Sequence, residues 1–307
     1  MLAVLGGGVA GLIWAWAFAR GRCTLVAGRL GGAMLSPLPV GPRYLHVSDA
    51  ARAFLDSLGF RPGSVRTVSC VVCPAAPYSL KTRGVDVSAA DTMLVTSHDV
   101  FDAPTLRDVT ARLVDCLRGR VDVLCADAVR VRDGVVALSS GESVPYEQLV
   151  NTLPFPRFVE ILDREFRPEA LGGAYLSIPV RFDYWRLQAG AWPWEPHDYI
   201  YVGDLSAPFS RVARVEGEGG VAFACVEYPG LDSVSPAPPA APHGLPASCS
   251  LEASTLLPMG RVISRALAPQ AAAWFACRGI THFGRFAEWQ DWVLTHHLIE
   301  RVAGGRV

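Results

Sequence analysis

The chain has 307 residues, half of them apolar and 19% charged, with 28 Lys and Arg against 29 Asp and Glu. That length suits one large domain or two interleaved ones, and the composition excludes a disordered chain. A formal net charge of −1 supplies no basic field, so bulk nucleic-acid binding is unsupported.

Met1 to Leu5 is a short apolar run of the kind that forms a central parallel strand. Gly6-Gly-Gly8-Val-Ala-Gly11 follows at once and sets G-x-G-x-x-G between that strand and a helix expected from Val9 to about Arg20. The first glycine of such a motif permits a tight turn, and the second lets the backbone approach a pyrophosphate. The third lets helix pack closely on strand, and the first-turn amides then face the anion. A second apolar strand is expected at Cys23–Ala27. The acidic residue that binds ribose hydroxyls in dinucleotide folds would fall near Ala27 or Gly28, and neither carries a carboxylate. Arg29 lies next to them and leaves open a contact to an NADP-like phosphate. Leu2 to Ala19 is also uncharged for 18 residues, the length of a membrane span. Its early glycines and the lack of a preceding basic region favour a buried strand, turn and helix, so no membrane segment is expected.

Asp49–Gly59 reads as a short helix capped by Ser48 or Asp49. The run from Val65 to Cys73 reads as a buried strand, which makes Cys70 and Cys73 core residues rather than a zinc or redox pair. No metal is expected. The eight cysteines are scattered, and in a chain of this size they point to free thiols in a cytoplasm. Thr105–Arg118 is a clearer helix, with Leu106, Val109, Leu113, Val114 and Leu117 on one face. Val121–Arg132 and Val135–Leu138 alternate around Asp133-Gly134, a hairpin signal. Tyr175–Phe182, Asp198–Gly203, Arg211–Val215 and Val221–Tyr228 read as strands of a larger antiparallel sheet. Ser233–Ser248 holds five prolines and reads as an exposed loop, and Glu288–Val302 as the final helix. His296-His297 looks like a metal pair, but adjacent helical residues diverge.

This order of elements predicts an α/β fold, in which a Rossmann-like dinucleotide-binding domain with a parallel sheet carries an inserted, mainly antiparallel-sheet substrate domain. Residues 1–60, 105–155 and 276–307 are expected in the first domain, and 61–104 and 156–275, with the Pro-rich loop 233–248, in the second.

Five stretches then carry a family resemblance. Leu30-Gly31-Gly32, shortly after the second strand, resembles the fingerprint of FAD-dependent enzymes of the amine-oxidase-like superfamily. Gly41-Pro-Arg-Tyr-Leu-His46-Val-Ser-Asp49 resembles the G-P-H-x-F-H-T segment of UDP-galactopyranose mutases. Tyr146 to Pro154 looks like the strand by which such flavoproteins return to their FAD domain. Pro208-Phe-Ser-Arg211-Val, with Glu227-Tyr-Pro229, is similar to the mutase P-Y-T-R-I and E-Y-P pair. Gly284-Arg285-Phe-Ala-Glu-Trp289 resembles the G-R-L-x-x-Y signature that opens the last FAD-contacting helix. The chain departs from the mutases at Arg43, which replaces their first His, and at Asp291 and Val293, where they carry Tyr and Asp.

The resemblance implies FAD as cofactor, held by Gly6, Gly8, Val9, Ala10, Gly11, Arg29, Gly31, Gly32, Gly284, Arg285 and Trp289. It implies an amine-oxidase-like oxidoreductase that takes hydride from a carbon bearing nitrogen or oxygen in a small-molecule or nucleotide-linked substrate. A mutase-like isomerase using reduced FAD and a non-catalytic protein that has kept the fold are the alternatives. His46, Arg43 and Arg211 are the catalytic candidates. The ordinary pKa of His46 suits proton transfer, with a buried structural histidine as the other reading. Arg211 suits a substrate phosphate or carboxylate, or else a bridge to Glu227, and Arg43 an anionic group or a solvated loop.

Overall fold

The computed structural model describes residues 1–19, 23–38, 44–61, 63–73, 81–82, 94–168, 171, 177–230, 244–262, 269–290 and 293–305. Arg20, Arg43, Asp291 and most of the Pro-rich loop lie outside the described residues. In chain order, β1 (Leu2–Leu5), α1 (Val9–Phe18) and β2 (Cys23–Val26) come first, followed by α2 (Asp49–Ser57), β3 (Val65–Cys73) and β4 (Leu94–Phe101). Then come α3 (Leu106–Leu117), β5 (Asp122–Leu124) and a meander of β6 (Ala128–Arg132), β7 (Val135–Leu138) and β8 (Ser143–Pro145). β9 (Gln148–Asn151) and α4 (Phe155–Ile161) lead to β10 (Ser177–Arg186), β11 (Tyr199–Val202), β12 (Arg211–Glu216), β13 (Ala222–Pro229) and β14 (Ser250–Val262). The chain closes with α5 (Pro269–Ala276), β15 (Ile280–His282) and α6 (Thr295–Ala303).

Five strands form a wholly parallel sheet in the order β15-β9-β1-β2-β5. Both faces are covered. Val4 and Leu25 join a core with α1, α2, α3 and α6, whereas Ala3, Leu5 and Val26 pack with Phe155, Phe158 and Phe275 on the other side. Such strands need apolar residues at every position, which explains the unbroken run at Leu2–Leu5. Seven strands form a second sheet, β14-β10-β13-β12-β11-β3-β4, supplied by residues 65–101 and 177–262. It is mixed, because β11 pairs with β3 in parallel while its other pairings are antiparallel.

The helix starts follow their local chemistry. Ser48 Oγ accepts from the Ala51 amide at 3.1 Å. Thr105 and Asp108 exchange hydrogen bonds in a capping box, the Thr105 amide donating to Asp108 Oδ2 at 2.9 Å. Asp133-Gly134 makes the expected turn between β6 and β7, with Gly134 at φ 69°.

Two expectations need correction, and one strand was not foreseen. Val121–Arg132 is not one strand: β5 joins the parallel sheet and β6 the meander, since residues 125–127 turn between them. The final helix begins at Thr295 rather than Glu288, because residues 285–289 form turns and Trp289 takes a left-handed φ of 55°. β14 is the strand without a sequence expectation, and it contains Pro258 and Gly260, residues that ordinarily weaken a strand. Among the described strands it lies at the sheet edge, bonded to β10, and its register shifts between Ile178 and Val180, so a bulge absorbs both residues.

His282, at the end of β15, sits edge-on to Phe155, Phe158 and Phe275 at ring separations of 5.1, 5.3 and 4.8 Å. Its Nε2 is buried without a hydrogen-bond partner, and burial pushes its pKa down to about 3. The unfolded chain binds a proton here below its ordinary value of ~6.5, while the folded chain does not. Stability therefore falls as pH drops from about 6.5 towards 3, by up to ~1.4 kcal/mol per pH unit from this group. His282→Leu should flatten that limb, as measured by urea unfolding at pH 4, 5, 6 and 7.

Candidate functional site

The site begins where the parallel strands end. Gly6 leaves β1 at φ 105°, a conformation that L side chains rarely adopt. A Cβ there would lie 2.4 Å from Thr152 Oγ1, and Thr152 Oγ1 itself donates to the carbonyl of Leu5 at 2.7 Å. A Cβ on Gly11 would sit 2.0 Å from the Gly6 carbonyl oxygen, so only glycine lets α1 start against this turn. Gly8 differs from both. It precedes Val9 and Ala10 in the first turn, and a Cβ on it would meet no atom within 4 Å. The backbone at Gly8 thus faces open space, as an approaching pyrophosphate requires.

Two distant segments close on this turn. After β2, the Gly31 amide donates to the Gly7 carbonyl at 2.7 Å, and a Cβ on Gly32 would be 3.4 Å from Gly8 Cα. Gly31 and Gly32 have φ of 79° and 52°, and Arg29 lies on the same loop. From the carboxy-terminal part, Gly284 (φ 104°) approaches so closely that a Cβ on it would be 2.8 Å from Ala10 Cβ. The Gly284 amide donates to Glu288 Oε1 at 2.8 Å, and Arg301 on α6 donates to both oxygens of Glu288 at 2.7 and 2.8 Å. Gly6, Gly8, Val9, Ala10, Gly11, Gly31, Gly32 and Gly284 are therefore one locus. This cradle fits a dinucleotide such as FAD, because its space would be filled by side chains at Gly8 or Gly32. Arg285 follows Gly284, with its guanidinium 5.7 Å from the Phe286 ring centre. Trp289 is fully enclosed in the core beneath the sheet and packs there rather than lining the groove.

The catalytic candidates are not gathered into one cluster. His46 pairs with Val100 of β4 as an isolated bridge, and its ring lies 5.2 Å from His98 and 4.5 Å from His296. Burial, then the neighbouring His98 and His297, hold its pKa below the usual histidine value. His296 is pushed down to about 4 by burial and by the same group of rings. His296 and His297 do not diverge as expected, since their rings are 4.0 Å apart. His297 turns back to cap the helix, its Nδ1 accepting from the Leu294 amide at 3.1 Å. Among the described residues, no group of His, Cys, Asp or Glu is placed to hold a metal. His98 was missed by sequence reasoning, because a lone histidine on a strand carries no signal.

Arg211 stands on β12, separated from β4 by β11 and β3, and pairs with Glu227 of β13 at 2.5 Å. Glu227 is buried. It also pairs with Arg261 and accepts from Ser210 Oγ at 3.0 Å, and despite burial these partners hold its pKa below the usual carboxylate value. Asp183 and Arg181 form a second buried pair on β10, 3.2 Å apart, with Ser254 donating to Asp183 Oδ1 at 2.6 Å. Lys81, another residue the sequence did not single out, donates to the Asp204 carbonyl at 2.5 Å, and burial lowers its pKa to about 8.

No family model matches the chain, and no curated protein matches it. Solved structures do. A reduced UDP-galactopyranose mutase superposes with a TM-score of 0.70 at 12% identity, over 98% of this chain and 93% of that one. Glycine oxidase from Geobacillus kaustophilus gives 0.55 at 13% identity, over 100% and 95%, and a putrescine oxidase variant 0.57 at 10% identity, over 99% and 97%. At such identities the likeness is one of fold. The chain has the fold shared by UDP-galactopyranose mutase and the amine-oxidase-like flavoproteins.

Proposed function

We propose that the protein is an FAD-dependent oxidoreductase of amine-oxidase type, acting on a C–N or C–O carbon of a small-molecule or nucleotide-linked substrate. The observation that carries this reading is the convergence of Gly8, Gly32 and Gly284 on the start of α1. When bound, FAD supplies the hydride acceptor. The chain supplies the rest. The first-turn amides of α1 bind the pyrophosphate, and the Gly284 loop, braced by Glu288 and Arg301, closes the other side. His46, held neutral by its surroundings, accepts a substrate proton instead of donating one. A cytoplasmic setting belongs to the same proposal. Among the described residues, no helix is long and apolar enough to cross a membrane.

A mutase-like isomerase is the second reading. It is favoured by the Ser210–Arg211 and Glu227–Tyr228 pairing, which matches the segments that resemble the mutases, and by the extent of the superposition. Turnover of a nucleotide sugar only after prereduction would select it. Bleaching of the flavin by an amine, amino acid or nucleoside under anaerobic conditions would select the oxidoreductase.

The purified protein should show flavin absorption bands and release FAD on heating. Gly8→Val should fold, because its Cβ meets nothing, yet bind FAD about 10–100-fold more weakly through ~1–3 kcal/mol of steric overlap. Gly11→Val should instead lower the thermal midpoint of the apoprotein, since its Cβ would overlap the Gly6 carbonyl. Calorimetry and fluorescence titration on both variants separate the two effects.

The acidic limb of the kcat/KM profile should lie below the ordinary histidine value of ~6.5. His98→Ala removes a neighbouring like charge and should move that limb upward. A limb that stays in place in that variant would exclude His46 as the titrating group.

A further inference from the structure

β2 ends in Ala27-Gly28, without the carboxylate that ordinarily reaches ribose hydroxyls from this position. The space is not empty of acid. A Cβ built on Gly28 would lie 2.5 Å from Asp127 Oδ1 and 3.5 Å from Asp127 Oδ2. The Asp127 carboxyl group thus occupies the direction that a side chain at residue 28 would take. Gly28 has no left-handed φ that would demand glycine, so what demands it is the neighbouring carboxylate.

Asp127 comes from the turn after β5, the strand beside β2. Its backbone is fixed on both sides. The Asp127 amide donates to Ser139 Oγ at 3.1 Å, and the Ser139 amide donates to the Asp127 carbonyl at 2.8 Å. The Ala27 amide donates to the Leu124 carbonyl at 3.0 Å, which ties the two strand ends together. The carboxylate itself is exposed, with no hydrogen-bond or ion-pair partner among the described residues. The glycine turn adjoins the residues on either side of Gly28, since a Cβ on Gly7 would lie 2.6 Å from Ala27 Cβ and 2.7 Å from the Arg29 carbonyl.

We infer that Asp127 supplies from the β5–β6 turn the ribose-binding carboxylate that β2 lacks, and that Gly28 is the gap through which it reaches the groove. This rests on the proposed dinucleotide cofactor. An ionised carboxylate accepts from two vicinal hydroxyls at once, and such charge-assisted bonds are the strong ones. A carboxylate at this point also disfavours a 2′-phosphate, which separates this assignment from an NADP-like contact by Arg29.

The test compares the wild-type apoprotein with Asp127→Asn, a near-isosteric change in an exposed turn whose folding is checked by its thermal midpoint. FAD binding is read by fluorescence titration, and ADP and 2′,3′-dideoxy-ADP are read as competitors. The wild type should prefer ADP to the dideoxy nucleotide by about 10-fold or more. Asp127→Asn should weaken FAD and ADP by a similar factor and bind the two nucleotides nearly equally. Wild-type affinity in the variant, or an undiminished preference for ADP, overturns the assignment while leaving the cofactor reading in place. A wild type that takes up neither FAD nor ADP overturns both.

Discussion

The approach of Gly11 to the Gly6 carbonyl is the constraint on which the functional end of the molecule depends. With 2.0 Å between that oxygen and an ideal Cβ, any side chain would push α1 off the end of β1. Because the helix starts there, its first amides open towards Gly8 and the free space beyond it. Thr152 fastens the same turn from just beyond β9, donating to the Leu5 carbonyl and, at 3.2 Å, to that of Gly6. Asn151, one residue earlier, holds the following bend through the Leu153 amide at 3.0 Å. The groove is thus a consequence of missing side chains, braced by two short polar ones.

That origin explains what was legible in the sequence. Glycines forced by close approach stand out, as do caps such as Ser48 and Thr105 and the Asp133-Gly134 turn, since each acts through residues adjacent in the chain. The break between β5 and β6 has no such marker. Val121–Arg132 alternates without glycine or proline, and the turn at residues 125–127 is set by Ser139 and by the bond from Ala27 to Leu124. β14 was hidden for the opposite reason: its breakers are real, but an edge strand with a bulge tolerates them. The role of Gly28 is equally invisible in one dimension, because the group it accommodates lies 99 positions away at Asp127.

The second sheet follows a different logic, with charge buried between strands. Glu227 faces Arg211 across the β12–β13 ladder and is shared with Arg261, while Asp183 is held by Arg181 and Ser254. Removing one partner from such a pair costs about 3–5 kcal/mol, whereas replacing a whole pair by apolar residues is often neutral. These groups are therefore poor stabilisers of a fold and good fixers of orientation. Asp183 shows the tension directly: burial raises its pKa, and Ser254 and Arg181 only partly oppose that. A sheet that buries such groups gains fixed strand register and orientation at a cost in stability.

The histidines at the junction of β4 and α6 complete the contrast between the two regions. The His46 ring lies against those of His98 and His296, and neighbouring histidines lower the pKa of both His46 and His296. For His46 and His296 burial acts in the same direction and is the larger cause. A neutral imidazole can accept a proton, but it offers an anion no charge. The first-turn amides of α1 are the groups suited to an anion, since Arg181, Arg211 and Arg261 of the second sheet are already paired with Asp183 or Glu227. The glycine turn at α1 and the paired arginines of the second sheet thus differ in their electrostatics, and β11 and β3 stand between β12 and β4.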